Sequence, residues 1–345
     1  MINGTKIKSL ALFRLSAIGD VVMMVPVIRS LQDTYPNIKI TWITSPMAHQ
    51  LLDGLSGVDF LVIDKPNSFS TYLDCRKQLQ PYQFDVLLAA QASLRANLIY
   101  PLIKAPIKVG FDKARSRDAH GLFVNCRVDF AKEHLLDGFM RFSQCLGVDT
   151  KTPRWDMPID AVHHAWAAQQ LSIKEGPWLA INPMASKRER DWFIDRYVDV
   201  IDQAVVRWGV NVVLTGGPGD DEKAFSQSIA DRTKADCLVL TGQTNLKQLA
   251  ALLAAVDVLV APDTGPVHIA TAMGTKVIGL YAVAPSLLSG PYCSKDLVID
   301  KYSQAVEKFL KKDPATVPWG TRVHTQDAMG LIAVDDVMGK LGEVF

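Results

Sequence analysis

The chain has 345 residues, of which 48% are hydrophobic and 21% charged, and its formal net charge at pH 7 is +1. This length suits two domains, and this composition is typical of a globular protein. The near-zero net charge excludes a strongly basic, dedicated nucleic-acid binder, so we expect no nucleic-acid partner.

Five cysteines are scattered along the chain and form no Cys-x-x-Cys motif: Cys75, Cys126, Cys145, Cys237 and Cys293. This pattern predicts reduced thiols in a cytosol, and neither a disulfide framework nor a zinc site. The N-terminal segment lacks the pattern of a secretory signal peptide. The most apolar stretch, LAALLAAVDVLVAP, is shorter than the roughly 20 residues of a spanning helix.

In the first third of the chain, short apolar runs alternate with amphipathic segments. The predicted strands are SLALFR, IKITWIT, FLVI and FDVLLAA, and the segments between them include the predicted helices VVMMVPVIRSL, MAHQLLDGL and STYLDCRKQLQ. This alternation predicts βαβ units and a parallel sheet that is covered by helices on both faces.

The alternation weakens after residue 101, and HLLDGFMRFSQCLGV predicts a helix that ends at Gly147. A polar, proline-bearing tract, residues 149–160, indicates the approach to a domain boundary. The βα alternation then restarts at WLAIN and continues to KVIGLY, and the final TQDAMGLIAVDDVMGKLGEVF predicts a helix. We therefore expect an α/β protein of two Rossmann-like domains with a cleft between them, where ligands bind beyond the carboxyl ends of the strands.

The stretch RLSAIGD places Asp20 just after the first predicted strand, at the start of a helix. A carboxylate at that position caps free N–H groups and complements the helix dipole, so capping alone would explain it. The same position also lies at the sheet edge where ligands bind. The stretch lacks the Gly-x-Gly-x-x-Gly spacing, which disfavours a nicotinamide-dependent dehydrogenase.

A second strand end, APDTGPVHIATAMG, carries Asp263, Thr264, Gly265 and His268. A hydroxyl and backbone N–H groups at a helix N-terminus favour a phosphate site, and His268 falls on the first turn of that helix. An ordinary capped strand-to-helix turn with a surface histidine is the alternative.

Two further strand ends are rich in charge. LTGGPGDDE offers Asp221 or Glu222 either as helix caps or as acceptors for ribose hydroxyls. NPMASKRERDW offers Lys187, Arg188 and Arg190 either as diphosphate ligands or as solvated surface.

A basic segment, IKAPIKVGFDKARSRDAH, lies in the middle of the first predicted domain. Its cations are Lys104, Lys108, Lys113, Arg115 and Arg117. In a nearly neutral protein such a segment favours an anionic partner, and a solvated loop is the alternative.

Together and in this order, six segments resemble glycosyltransferase family 9, the ADP-heptose:lipopolysaccharide heptosyltransferases: RLSAIGDVVMMVPVIRSL, GFDKARSRDAHGLF, NPMASKRERDW, LTGGPGDDE, APDTGPVHIATAMG and SGPY. The resemblance implies a GT-B fold with an acceptor domain, residues 1–165, and a nucleotide-sugar domain, residues 166–320. It also implies a terminal helix, residues 321–345, that packs back on the first domain.

The resemblance further implies a role for each candidate residue. Asp20 is expected to be the general base that deprotonates the acceptor hydroxyl in an inverting transfer. The resemblance implies ADP-heptose as the donor substrate, with no cofactor and no metal. The chain also has no Asp-x-Asp motif, which would hold manganese in enzymes of the GT-A class. Arg190 stands where family members usually carry lysine. The expected donor ligands are Ser186, Lys187, Arg190, Asp221, Glu222, Asp263, Thr264, Gly265 and His268, and the expected acceptor ligands are Ser16, Arg95, Lys113, Arg115 and Arg117.

The implied acceptor is the inner core of lipopolysaccharide, whose lipid anchor would keep a cytoplasmic enzyme in peripheral contact with the inner face of the cytoplasmic membrane. Two alternatives remain open at this point. Another GT-B enzyme, such as a nucleotide-sugar epimerase, would act on its donor without a lipid acceptor. A two-lobed binding protein would hold the ligand without turnover.

Overall fold

The computed structural model describes residues 7–149 and 152–345 and divides the chain into two units, residues 1–158 and 159–345. Each unit is built on one six-stranded parallel sheet, which confirms the predicted pair of Rossmann-like domains. The N-terminal residues 1–6, part of the segment inspected for a signal peptide, and residues 150 and 151 of the predicted boundary tract lie outside the described residues.

The first unit contains strands β1 to β6 and helices α1 to α5. Its central strand is apolar on both faces, as expected for a parallel sheet between two helical layers, and Leu10–Phe13 are fully buried. Short 3-10 turns, Tyr100–Leu102 and His120–Leu122, follow α4 and β5. The elements are β1 Ser9–Phe13, α1 Ile18–Thr34, β2 Lys39–Thr44, α2 Pro46–Leu52, β3 Val58–Val62, α3 Phe69–Leu79, β4 Val86–Ala89, α4 Leu94–Asn97, β5 Ile107–Gly110, β6 Cys126–Arg127 and α5 Leu135–Gln144.

The second unit repeats this plan with strands β7 to β12 and helices α6 to α13. Within the described part of the chain, no helix combines the length and the hydropathy that are needed to span a bilayer. The elements are α6 Ala161–Leu171, β7 Trp178–Ile181, α7 Ile194–Trp208, β8 Asn211–Leu214, α8 Asp220–Arg232, β9 Leu238–Val239, α9 Leu246–Ala255, β10 Val258–Pro262, α10 Gly265–Met273, β11 Lys276–Tyr281, α11 Ser286–Ser289, β12 Ile299–Asp300, α12 Tyr302–Ala305 and α13 Val334–Leu341, with 3-10 turns at Arg188–Arg190, Lys295–Leu297 and Gln326–Leu331 and a π turn at Val306–Leu310.

The strand order creates one topological switch point in each sheet. The first sheet runs β3-β2-β1-β4-β5-β6, so the chain leaves β1 toward one edge and returns to β4 on the other side. The second sheet runs β12-β11-β10-β7-β8-β9, which makes β7 and β10 the corresponding pair. Crevices outside the carboxyl ends of such strand pairs are the usual ligand sites of this architecture.

Two details differ from the sequence expectation. The boundary falls after residue 158 instead of residue 165, because α6 packs on α9 and so belongs wholly to the second unit. The expected single terminal helix is a 3-10 turn followed by α13, and α13 packs on α7 of the second unit. Its buried side chains, Val337, Met338 and Leu341, all join the core of the second unit, which leaves a polar outer face.

Candidate active site

Asp20 lies in the first turn of α1, at the carboxyl end of β1. Its Oδ2 atom accepts hydrogen bonds from the Arg14 guanidinium and, at 3.4 Å, from the backbone N–H of Ala17. Among the described residues, Oδ1 makes no hydrogen bond, and about a quarter of the side chain is exposed (24%). The carboxylate is therefore held by one oxygen and open at the other.

Arg14 is buried and connects the ends of β1 and β4, the two strands of the first switch point. Its Nη1 donates to the carbonyl of Ala90, just beyond β4, and its Cζ lies 5.3 Å from the centre of the Phe139 ring on α5. The Nε of Arg14 is buried and has no partner in the described part of the chain. Beside it, the Leu15 N–H donates to Gln91 Oε1 at 2.8 Å, which adds a second link between the two strand ends.

A histidine at the end of the basic segment, residues 103–120, connects this segment to α4. His120 is fully buried, with Nδ1 2.7 Å from Asn97 Oδ1 and Nε2 accepting the Phe111 N–H at 3.2 Å. This pattern requires the proton on Nδ1. Burial, reinforced by the positive charge of Arg127, lowers the pKa of His120 to about 4. The ring is thus neutral at physiological pH and fixes the loop instead of acting in acid–base chemistry.

The expected acceptor ligands fall into two groups. Arg95, Lys113 and Arg117 are exposed, and Asn97 Nδ2 on α4 donates to the Arg117 carbonyl at 3.2 Å, which links the Arg117 loop to the helix that carries Arg95. Ser16 is partly exposed and lies between β1 and α1.

Arg115 differs from the other expected acceptor ligands. Its guanidinium is paired with the buried Asp112, donates to the Asp129 carbonyl at 2.8 Å and lies 3.7 Å from Glu133. These contacts favour a role for Arg115 in holding the loop together.

Asp263 occupies the second switch point, immediately after β10, and its side chain is mostly buried. Arg190 Nη1 lies 3.1 Å from Asp263 Oδ2 and donates to the Asp263 carbonyl at 3.1 Å. On the other side, Ser289 Oγ donates to Asp263 Oδ1 at 3.2 Å, and the Tyr281 hydroxyl donates to the Ser289 carbonyl at 2.9 Å. Burial and the nearby Asp263 charge raise the pKa of Tyr281 well above its usual range, so this hydroxyl stays protonated.

The N-terminus of α10 faces the same edge of the second sheet. Thr264 is the N-cap residue, yet its side chain makes no capping hydrogen bond, and the first turn contains no acidic residue. Gly265 and Pro266 open the helix, and His268 is buried one turn further on. Pro266 has no N–H, and the Val267 N–H donates to the Thr264 carbonyl at 3.2 Å. The Gly265 N–H and the helix dipole leave a positive end that suits an anion.

The loop after β7 carries the cations that the sequence singled out. Ser186 and Lys187 are exposed, and the 3-10 turn that follows directs Arg190 to Asp263. Asp191 anchors the turn: its Oδ1 accepts the Ala185 N–H at 2.7 Å, and burial raises its pKa. The next residue, Trp192, is fully buried, which fixes the end of the loop in the core.

The two candidate ribose acids have different surroundings. Glu222 folds back over the β8–α8 turn, where its Oε2 accepts the Gly217 N–H at 2.6 Å. A Cβ at Gly217 would lie 2.7 Å from Glu222 Oε1, so a larger residue there would displace the Glu222 carboxylate. Asp221 points away to Arg188, with Oδ2 2.6 Å from Nη2, and is 81% exposed.

Sequence reasoning missed the residues that hold these groups in place: Arg14, Gln91, Asn97, His120, Asp191 and Ser289. Arg14 gave a usable signal, since a charged residue at the end of a buried apolar strand needs a partner nearby. Ser289 begins the SGPY segment, but its contact with Asp263 gave no signal, because the two residues are far apart in the chain.

Comparison with known proteins points to one family. The sequence model of the family described as glycosyltransferase family 9 (heptosyltransferase) matches residues 72–317 of this chain. The chain is 36% identical to the lipopolysaccharide core heptosyltransferase OpsX of Haemophilus influenzae, over 97% of this chain and 96% of that protein. It is also 25% identical to lipopolysaccharide heptosyltransferase 3 of Escherichia coli K12, over 79% of this chain and 82% of that protein.

Solved structures agree on the fold. A family 9 glycosyltransferase from Veillonella parvula matches with a TM-score of 0.80 and 20% identity, over 98% of this chain and 97% of that one. The E. coli heptosyltransferase WaaC with ADP matches with a TM-score of 0.73 and 19% identity, over 98% and 100% of the two chains. These similarities confirm the expected GT-B fold.

Proposed function

Since this chain belongs to glycosyltransferase family 9 and is a glycosyltransferase, we propose that it transfers heptose from ADP-heptose to the inner core of lipopolysaccharide, with inversion and without a metal ion. The relative with 36% identity is named as a lipopolysaccharide core heptosyltransferase, and a structural neighbour holds ADP-2-deoxy-2-fluoro heptose. These names support the substrate classes, and the geometry of the two switch points supports the roles of the residues.

Asp20 carries the proposal for the acceptor side. The acceptor hydroxyl oxygen attacks the anomeric carbon of the donor, and its proton passes to Oδ1 of Asp20, the carboxylate oxygen without a hydrogen bond among the described residues. The bond between the anomeric carbon and the ADP oxygen breaks, and ADP leaves from the opposite face. Arg14 fixes the carboxylate through Oδ2 and so orients Oδ1.

The second unit supplies the groups that would stabilise the leaving diphosphate. Arg190 and the exposed Lys187 bring positive charge, while the Thr264 hydroxyl and the Gly265 N–H bring hydrogen-bond donors at the start of α10. Asp263 keeps Arg190 in place from a buried position. These groups meet the developing charge without a metal ion.

The remaining donor contacts follow from position. Glu222, at the β8–α8 turn, would accept hydrogen bonds from the ribose, while Asp221 is engaged by Arg188. Ser186 and His268 lie on the loop and the helix that flank Asp263.

On the acceptor side, Ser16, Arg95, Lys113 and Arg117 would bind the carboxylate and phosphate groups of the core sugars, and Arg115 would support their loop. Arginine and lysine suit such anions because they form charge-assisted hydrogen bonds. A lipid-anchored acceptor also requires contact with a membrane surface, which we propose to be peripheral.

The test is the release of ADP from ADP-heptose in the presence of a deacylated, Kdo-containing core acceptor and a chelator, together with the product mass. We expect acceptor-dependent release and the gain of one heptose. Asp20→Asn should lower kcat roughly 100- to 10,000-fold, since it removes the general base, while ADP binding persists.

Asp33→Asn is the matched control, because Asp33 lies on the same helix and its side chain is exposed. It should leave kcat unchanged. Full activity of Asp20→Asn would overturn the role of Asp20 as the base. Conversion of the nucleotide sugar without any acceptor would favour an epimerase, and ligand binding without turnover would favour a binding protein.

A further inference from the structure

One face of the first unit exposes large apolar side chains on three adjacent elements: α3, α4 and the 3-10 turn His120–Leu122. The inner sides of α3 and of the α4 region join one core cluster over the same sheet, and Phe123, next to the turn, packs against it. The Tyr72 hydroxyl on α3 donates to the Arg95 carbonyl on α4 at 3.3 Å, and the Leu94 N–H donates to Asp118 at 2.8 Å. These contacts make the three elements one continuous surface, called here the α3–α4 face.

The apolar side chains of this face point outward. Five of the twelve large hydrophobic residues that are exposed in the described part of the chain lie on it: Phe69 (79%), Leu73 (40%), Leu94 (56%), Leu98 (44%) and Leu122 (84%). Large apolar groups that cluster on an exposed surface usually mark an interaction site.

The same face is positively charged. Arg76 and Arg95 are exposed beside these apolar groups and form no ion pair with any residue that the structure describes. Lys113 and Arg117 are exposed on the loop that leads into the 3-10 turn. The cations outnumber the acids nearby, which are Asp64, Asp74 and Asp118. Asp74 lies 3.9 Å from Lys77, and Asp118 accepts the Leu94 N–H.

We propose that the α3–α4 face docks on the surface of a bilayer that contains anionic phospholipids. Phe69, Leu94 and Leu122 would enter the boundary between headgroups and acyl chains, and Arg76 and Arg95 would attract the anionic headgroups. Charge complementarity favours a lipid surface over a second copy of this chain, whose α3–α4 face carries the same positive charge.

The proposal rests on the proposed function in one respect, namely that the acceptor is anchored in a lipid bilayer. Arg95, Lys113 and Arg117, the proposed acceptor ligands, lie on or next to the α3–α4 face. Docking through this face would bring those cations to the level of the headgroups, where the core sugars of a lipid-anchored acceptor begin.

The experiment is vesicle sedimentation of the full chain without donor or acceptor. Vesicles of phosphatidylethanolamine and phosphatidylglycerol should bind the protein, added salt should weaken binding, and phosphatidylcholine vesicles should bind it poorly. The triple variant Phe69→Ser, Leu94→Ser, Leu122→Ser should lower the partition coefficient roughly tenfold or more, since it removes the inserting groups.

The matched control is Val206→Ser with Leu287→Ser, which makes the same change at exposed sites of the second unit (88% and 69%). It should bind vesicles as the parent does. Equal binding by the parent and the triple variant would overturn the proposal, as would a parent that ignores anionic vesicles. A parent dimer that the triple variant dissociates, without vesicle binding, would identify a second copy as the occupant.

A separate measurement distinguishes this proposal from the proposed function. ADP release with the deacylated acceptor needs no membrane, so the triple variant should match the parent there and lose activity only on acceptor that is embedded in vesicles. Loss of vesicle binding with normal turnover of the deacylated acceptor would support docking. Vesicle binding by a parent that shows no turnover would overturn the proposed function alone.

Discussion

The two switch points have the same arrangement of strands and helices, but only the first has an acidic side chain within the first turn of its helix. At each one, a largely buried arginine, Arg14 or Arg190, pairs with an aspartate beyond a strand end, and each arginine has a buried Nε without a partner among the described residues. In the first unit the aspartate itself lies at the N-terminus of α1. In the second, the first turn of α10 contains no acid and its N-cap side chain forms no cap.

This difference teaches how one architecture serves two chemical tasks. A helix N-terminus stabilises a negative group, whether the group belongs to the protein or to a ligand. The first unit fills that position with Asp20, which in the proposed mechanism would present a carboxylate to the acceptor. The second leaves the position open, so that it suits an anion supplied from outside, such as a diphosphate.

The largest effect is expected for a substitution of Arg190, at the second switch point. Arg190→Ala should lower kcat/KM for ADP-heptose roughly 100- to 1,000-fold, because it removes a positive charge from the diphosphate and leaves Asp263 buried without its partner. Steady-state kinetics with varied donor, and calorimetric ADP binding, measure the loss.

Arg190→Lys is the informative companion, since lysine keeps the charge but cannot reproduce the forked geometry of arginine. It should recover much of the lost activity. If Arg190→Ala binds ADP and turns over as the parent does, the second switch point is not the diphosphate site.

A second prediction concerns His120 and its hydrogen bonds with Asn97 and the Phe111 N–H. The folded-state pKa of His120, about 4, lies below the ordinary value of 6.5, so the unfolded chain binds the proton first as the pH falls. The resulting stability is fully present above about pH 6.5 and declines toward pH 4. The free energy of unfolding should therefore fall by about 2 kcal/mol between about pH 7 and pH 5.

His120→Gln tests this directly, because it removes the titrating group. Denaturant titrations should show a lower free energy of unfolding at neutral pH and a shallower decline on acidification. His164→Gln, at an exposed position of the second unit, should keep the parent's slope. A parent-like slope in His120→Gln would show that other groups control acid stability.

Much of the fold follows from the sequence, because strands such as β1, β4 and β10 are uninterrupted apolar runs. The elements that escaped prediction lack this local pattern. β6 and β12 have two residues each, and α6 buries only Ala167 and Leu171. The packing of α13 on α7 escaped as well, because its partner is chosen by tertiary contacts that no local pattern encodes.

The candidate site shows the same division. Asp20, Asp263 and Thr264 were singled out because each lies in the segment between the end of a strand and the first turn of the next helix, where parallel sheets bind ligands. The grip of Arg14 on Asp20 and of Ser289 on Asp263 depends on side-chain directions that only the folded chain reveals. The different contacts of Asp221 and Glu222 also depend on side-chain directions, since the sequence made both acids equal candidates for the ribose.

The smallest expected effect distinguishes those two acids. Glu222→Gln should raise the KM for ADP-heptose roughly tenfold, because a charged acceptor for the ribose hydroxyls becomes neutral. Asp221→Asn removes one charge from the same turn, but its carboxylate is 81% exposed and paired with Arg188, so the KM should change less than about threefold. Calorimetry with ADP and with inorganic diphosphate shows whether Glu222 contacts the ribose. Loss of a ribose contact weakens the binding of ADP and leaves the binding of diphosphate unchanged. Equal losses for both ligands in Glu222→Gln would instead mean that Glu222 acts by holding the Gly217 turn, through its hydrogen bond with the Gly217 N–H.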